Sequence, residues 1–158
     1  MAVYYSFHYT RDAFRVQQVI NMGVVEGTKL LNAQEWESVK RGGRAAIEKW
    51  IAEKMAYKNA VVVLVGTETS SRPWVRYEIT KAWNDKKPLV GVRIHGLATA
   101  AGSDPIGKNP FAEINLQGGG TLADFVPLYN PAGSTSQAVY GSISSNMVNW
   151  VNSAYKRA

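Results

Sequence analysis

Glu78 stands four residues after Trp74 in the segment Ser71-Arg72-Pro73-Trp74-Val75-Arg76-Tyr77-Glu78-Ile79. On a helix that spacing puts the carboxylate one turn beyond the indole, on the same flank. The segment follows an unbroken apolar run, Ala60-Val61-Val62-Val63-Leu64-Val65, which suits a strand buried on both faces. Turn formers from Gly66 to Ser71 break the run, and Pro73 marks a helix start, with the helix running toward Lys86. Val75, Ile79 and Ala82 line its inward stripe, and Glu78 falls at the edge of that stripe. A carboxylate just past the carboxyl end of a buried strand faces the crevice where open α/β sheets bind ligands.

A lone glutamate with aromatic neighbours suits cleavage of an N-glycosidic bond. The transition state there is an oxocarbenium ion, whose charge one preorganised carboxylate can stabilise. Trp74, Tyr9 and Phe7 are rings that can stack on a base or shield the cation. The competing reading makes Glu78 a first-turn helix glutamate that favours the helix dipole and pairs with Lys81 or Arg76. Spacing leaves both readings open.

Other chemistries lack their residues. There is no cysteine and only two histidines, His8 and His95, so neither a thiolate nor a structural zinc site is expected. No G-x-x-x-x-G-K-[ST] occurs, and no G-x-G-x-x-G opens a helix after a strand. A receiver domain needs acidic residues where Ser6-Phe7-His8 and Gly66-Thr67 stand, and Phe7-His8-Tyr9 is too bulky for a flavin phosphate loop. No carboxylate pair and no Ser-His-Asp set is evident. The net charge of +6 would suit an anionic partner. The Lys and Arg residues are scattered, however, with no run above two, which argues against a nucleic-acid groove. No apolar run approaches the ~18 residues of a membrane span, and the first residues do not read as a signal peptide, so the cytosol is the expected location.

The elements that must position Glu78 follow in order. A chain of 158 residues is expected to form one domain, 1–158. Ala2 to Phe7 reads as a first strand and His8-Tyr9-Thr10 as the turn after it. Asp12 is placed to cap a helix from Ala13 to Met22, with Val16, Val19 and Ile20 inward and Gly23 at its C′ position. Val24-Val25 suits a short edge strand, Gln34 to Glu37 a loop or helical turn, and Arg41-Gly42-Gly43 a break. Arg44 to Met55 is a helix carrying Ile47, Trp50, Ile51 and Met55 on one face. Pro88 to Ile94 is the next strand. Residues 95–120 form a long irregular stretch of the kind that is functional or mobile, with Phe111 to Ile114 docking it. Asp124 to Leu128 holds a last short edge strand. Ser136 to Tyr155 is a final helix packing through Tyr140, Ile143, Met147, Trp150, Val151 and Ala154. Strands alternating with helices imply a flavodoxin-like three-layer α/β/α sandwich around a mostly parallel sheet.

The segment from Ser71 to Ile79 resembles the S-x-x-W-x-x-x-E-[LI] signature of TIR (Toll/interleukin-1 receptor) domains. More closely, the chain is similar to the TIR-like ThsB proteins of bacterial Thoeris anti-phage defence. The supporting pieces are Phe7-His8-Tyr9, Phe14-Arg15-Val16, Trp36-Glu37, Gly66-Thr67 and Asn109-Pro110-Phe111, which with the signature span roughly residues 3–111. Beyond them the chain departs from the family pattern. The resemblance implies a TIR-like domain that consumes NAD+ as substrate, with no cofactor and no metal. It would cleave the nicotinamide–ribose bond and release a cyclic or conjugated ADP-ribose signal that activates a separate effector. Glu78 would be catalytic. Phe7, His8, Tyr9 and Thr67 would face the substrate, and Trp74 and Arg76 would flank the ribose and diphosphate. Self-association and a phage protein trigger are implied as partners, with no nucleic acid and no membrane. Two alternatives stand beside it: a non-catalytic TIR-like adaptor, and a nucleoside deoxyribosyltransferase-like enzyme.

Overall fold

The all-apolar segment Ala60–Val65 is strand β3, with every residue buried, at the centre of a five-stranded sheet. The computed structural model describes residues 1–27 and 29–158. The other strands are β1 (Ala2–Ser6), β2 (Glu26–Gly27), β4 (Leu89–Arg93) and β5 (Leu128–Tyr129). Their order is β2-β1-β3-β4-β5 and every ladder between them is parallel. β3 pairs from Val3↔Ala60 to Ser6↔Val63 on one side, and from Val61↔Leu89 to Val65↔Arg93 on the other. This is the flavodoxin-like order, with its topological switch point between β1 and β3.

Period-two alternation divides the core into two layers. Val3, Tyr5, Val62 and Leu64 pack with Val16 and Val19 of α1 (Tyr9–Asn21) and with Ile143 and Met147 of α5 (Ser136–Asn152). Tyr4, Val61, Val63 and Val65 face the other way. They meet Ile47, Ile51 and Met55 of α3 (Gly43–Met55) and Val75, Ile79 and Ala82 of α4 (Pro73–Asn84). α2 (Ala33–Arg41) leans on this second layer through Trp36 and Val39. The three-layer α/β/α reading therefore holds, and the sheet is parallel throughout its five strands.

Several boundaries differ from the sequence reading. α1 begins at Tyr9, so His8 holds the N-cap position and Tyr9-Thr10 is helix rather than turn. Asp12 is no cap; it lies buried inside the first turn, 3.3 Å from Arg15. The edge strand falls at Glu26–Gly27, because Val24 and Val25 turn inward onto the α1 side of the core. Gln34 to Glu37 belong to a full helix fixed by a capping box between Asn32 and Glu35. α4 stops at Asn84, where Lys86 takes a left-handed φ of 58°. Leu122–Asp124 is a 3-10 turn, which moves the last strand to Leu128–Tyr129. α5 ends at Asn152, and Val139 occupies the inward place expected of Tyr140, which is exposed.

Candidate active site

β1 and α4 together build the site. Tyr4 and Ser6 are two residues apart on β1, so both side chains project from the same face, toward α4. Glu78 meets them from α4. The Tyr4 hydroxyl donates to Glu78 Oε2, and the Ser6 hydroxyl donates to Oε1 at 2.7 Å. Glu78 is 7% exposed. Burial drives its pKa up to about 7, against the opposing pull of the two donors, Tyr4 before Ser6. Neither of the cations that a surface glutamate would use is its partner. Lys81 pairs with Asp85 at 2.8 Å, and Arg76 reaches Glu113 at 3.7 Å.

Glu78 opens onto a cavity of about 80 Å³. The cavity lies at the β1 edge beyond Ala2 and Val3, the residues that pair with Glu26 and Gly27 of β2. Trp74 lines it from α4, one turn before Glu78. Phe7 and Tyr9 line it from the β1–α1 corner, Trp36 and Trp50 from α2 and α3, and Lys29 to Leu31 from the segment after β2. The rings form a chain: Phe7–Tyr9 centroids are 6.1 Å apart, Tyr9–Trp36 5.9 Å and Trp36–Trp50 6.3 Å. The Tyr9 hydroxyl donates to the Leu31 carbonyl and so ties the corner to the rim. Trp74 is braced from outside by Tyr77, edge-on at 5.3 Å, and by the Arg44 guanidinium 5.5 Å from its ring. One buried carboxylate among tilted and edge-on rings can hold a flat organic cation and stabilise positive charge formed beside it.

Of the residues chosen from sequence, Phe7, Tyr9, Trp74 and Glu78 come together around this cavity. His8, Thr67 and Arg76 are placed elsewhere. His8 points to Glu68, with Nε2 3.9 Å from its carboxylate; burial, then Arg72, lowers its pKa. The Thr67 hydroxyl donates to the Pro105 carbonyl. Arg76 is half-exposed, and its Nε donates to the Ser70 carbonyl at 3.2 Å. Trp36 lines the cavity, whereas Glu37 is a surface charge 2.7 Å from Lys40. Tyr4, Ser6, Trp50 and Lys29 were missed. For the first two a signal did exist: hydroxyls at i and i+2 of a strand share one face. Among the described residues no group of His, Asp and Glu has the makings of a metal site, and no helix is long and apolar enough to cross a membrane.

The parallel sheet, its strand order and a buried glutamate on the helix after β3 define a TIR-like domain. Residues 4–99 match the family described as Thoeris protein ThsB, TIR-like domain, and the chain belongs to that family. It is also similar to a Bacillus cereus (strain MSX-D12) protein named "Putative cyclic ADP-D-ribose synthase ThsB1". The two are 31% identical over 122 residues, which cover 73% of this chain and 63% of the relative.

Proposed function

We propose that this protein cleaves NAD+ at the bond between nicotinamide and ribose and converts the remainder into a cyclic or conjugated ADP-ribose signal. The observation that carries the reading is Glu78, a carboxylate buried against strand hydroxyls and facing an aromatic cavity. The name of the Bacillus relative, a cyclic ADP-D-ribose synthase, supports it. Nicotinamide in NAD+ is a planar cation, and a cationic ligand in the cavity favours the ionised form of Glu78. As the C1′–N bond breaks, its electron pair passes to the nicotinamide nitrogen, which becomes neutral, and positive charge moves to the ribose. Glu78 faces that charge as it forms. A nucleophile then adds to C1′ and sheds a proton: water gives free ADP-ribose, an atom of the same ADP-ribose gives the cyclic product, and an atom of a second molecule gives the conjugate. NAD+ is the substrate, and the reaction needs no separate cofactor. The product would act on a separate effector, and a phage protein or self-association would switch the enzyme on.

The test is nicotinamide release from NAD+ by purified protein, with mass analysis of the products, alongside Glu78→Gln. Losing one preorganised charge of this kind costs about 10²–10³ in rate. A wild-type protein that releases no nicotinamide even in extracts of infected cells would favour a non-catalytic adaptor. Exchange of free bases on deoxynucleosides would favour a deoxyribosyltransferase.

A further inference from the structure

We propose that Tyr4 and Ser6 are positioning residues for Glu78, aiming its carboxylate into the cavity and favouring its ionised form. The inference rests on the reading of Glu78 as the catalytic group. Its basis is the geometry of β1. The two hydroxyls stand one strand repeat apart on the α4-facing side, and each takes a different oxygen of the same carboxylate. A carboxylate held at both oxygens cannot rotate without breaking a buried hydrogen bond, so its orientation is fixed by the sheet rather than by the helix that carries it. Tyr4 is itself clamped: it lies fully buried in the layer between β1 and the helices α3 and α4.

The same two bonds oppose the effect of burial. Desolvation favours the neutral acid, and donors to the carboxylate favour the anion. The other titratable groups facing the cavity are Tyr5 from β1, Tyr9 from α1 and Lys29 from the segment after β2. Burial raises the Tyr4 phenol well above 10 and Tyr5 to about 12, and Tyr9 is raised as well. Those phenols stay neutral through the pH range in which Glu78 titrates. On the outer side of Trp74, Tyr77 and Arg44 pack against the ring. His8, at the β1–α1 corner, faces Glu68, Arg11 and Arg72. Burial moves the titration of Glu78 up toward neutrality, and Tyr4 and Ser6 are the groups that pull it back down.

The experiment measures kcat and KM for NAD+ from pH 5.5 to 9.5 in wild type, Tyr4→Phe and Ser6→Ala, with the Glu78 side-chain carboxyl titrated by ¹³C NMR in the same proteins. Each variant is expected to move the acid limb of kcat, and the NMR titration with it, upward by about one pH unit. At pH 6.5 kcat then falls about tenfold, while near pH 9 most of the loss is recovered and KM changes less than about twofold. An unshifted limb, or an equal loss at every pH, would overturn the proposal. Should Tyr4→Phe fail to fold, Ser6→Ala carries the test, since it removes only a hydroxyl. The NMR arm separates the two readings. A wild type that never cleaves NAD+, or a fully active Glu78→Gln variant, defeats the catalytic role. An unmoved carboxyl titration in both variants defeats the positioning role alone.

Discussion

Glu78 could have been a surface helix glutamate, and what excludes that is the identity of its partners. Two strand hydroxyls hold it, while Lys81 and Arg76 are engaged with Asp85 and Glu113. Glu78→Gln keeps the shape of the side chain and removes its charge. It is expected to abolish detectable nicotinamide release without unfolding the protein; a stable, fully active variant would refute the catalytic role. Which neighbours the carboxylate has was only partly legible. Trp74 is four residues from Glu78 and shares its flank, whereas Arg76 is two residues away, about 200° round the helix, and points off the site. Phe7 and His8 diverge for the same kind of reason at the end of a strand. Tyr4 and Ser6 look in sequence like ordinary strand residues. Their role appears only once α4 is known to pack on the face of β1 that carries them.

At the scale of elements, the corner after β1 is held by charges rather than by capping. Arg15 is buried and reaches across to the segment after β4. Its Nε donates to the Leu97 carbonyl at 2.8 Å and its guanidinium donates to the Gly102 carbonyl at 3.2 Å, and it pairs with Asp12 and Asp104. Arg11 adds a second bond to Asp104 at 3.0 Å, and Arg93 donates to the Gly107 carbonyl at 2.6 Å. The irregular stretch expected over 95–120 is thus strapped to the carboxyl ends of the strands, and Phe111 plugs it into the α4 layer. Asp12 read as a helix cap because its position suited one. The strap is a long-range pairing that no local pattern announces. Arg15→Met leaves Asp12 buried without its cation and is expected to cost about 3–5 kcal/mol. Amide exchange should quicken across 97–104 while the β3 amides keep their relative protection. Unchanged exchange there would show that the strap is dispensable. Gly66 belongs to the same device: a Cβ at this position would overlap the Asp12 carboxylate. Gly66→Ala should destabilise by about 1–3 kcal/mol in denaturant unfolding.

For the whole molecule, the strand–helix alternation was legible because β3 is apolar on both faces and α3 and α4 carry clear stripes. The short edge strands β2 and β5 were misplaced, since two residues of ladder leave almost no sequence pattern. The net charge of +6 is spread along the surface, where cations pair with acids one turn away, as in Lys40–Glu37, Arg44–Glu48 and Lys49–Glu53. Such exposed pairs contribute little to stability. The buried carboxylate is different, and its effect on folding has a definite sign. Its pKa is about 7 when folded, against the ordinary 4.5 of a glutamate in the unfolded chain. The folded state therefore binds the extra proton between those values. The stabilisation linked to Glu78 is fully present below pH 4.5 and is lost as pH rises through 7. Above that, the ionised side chain costs on the order of 3 kcal/mol relative to a neutral one. Glu78→Gln carries no such charge, so its Tm should exceed that of wild type by roughly 4–10 °C at pH 8.5 and the two should converge toward pH 5. Thermal unfolding of both proteins across that range checks it. Parallel curves would mean that Glu78 keeps its ordinary acidity in the folded protein. A gap that widens with pH would show the fold carrying a destabilising buried charge in the wall of its aromatic cavity, as stability–activity trade-off predicts for a working site.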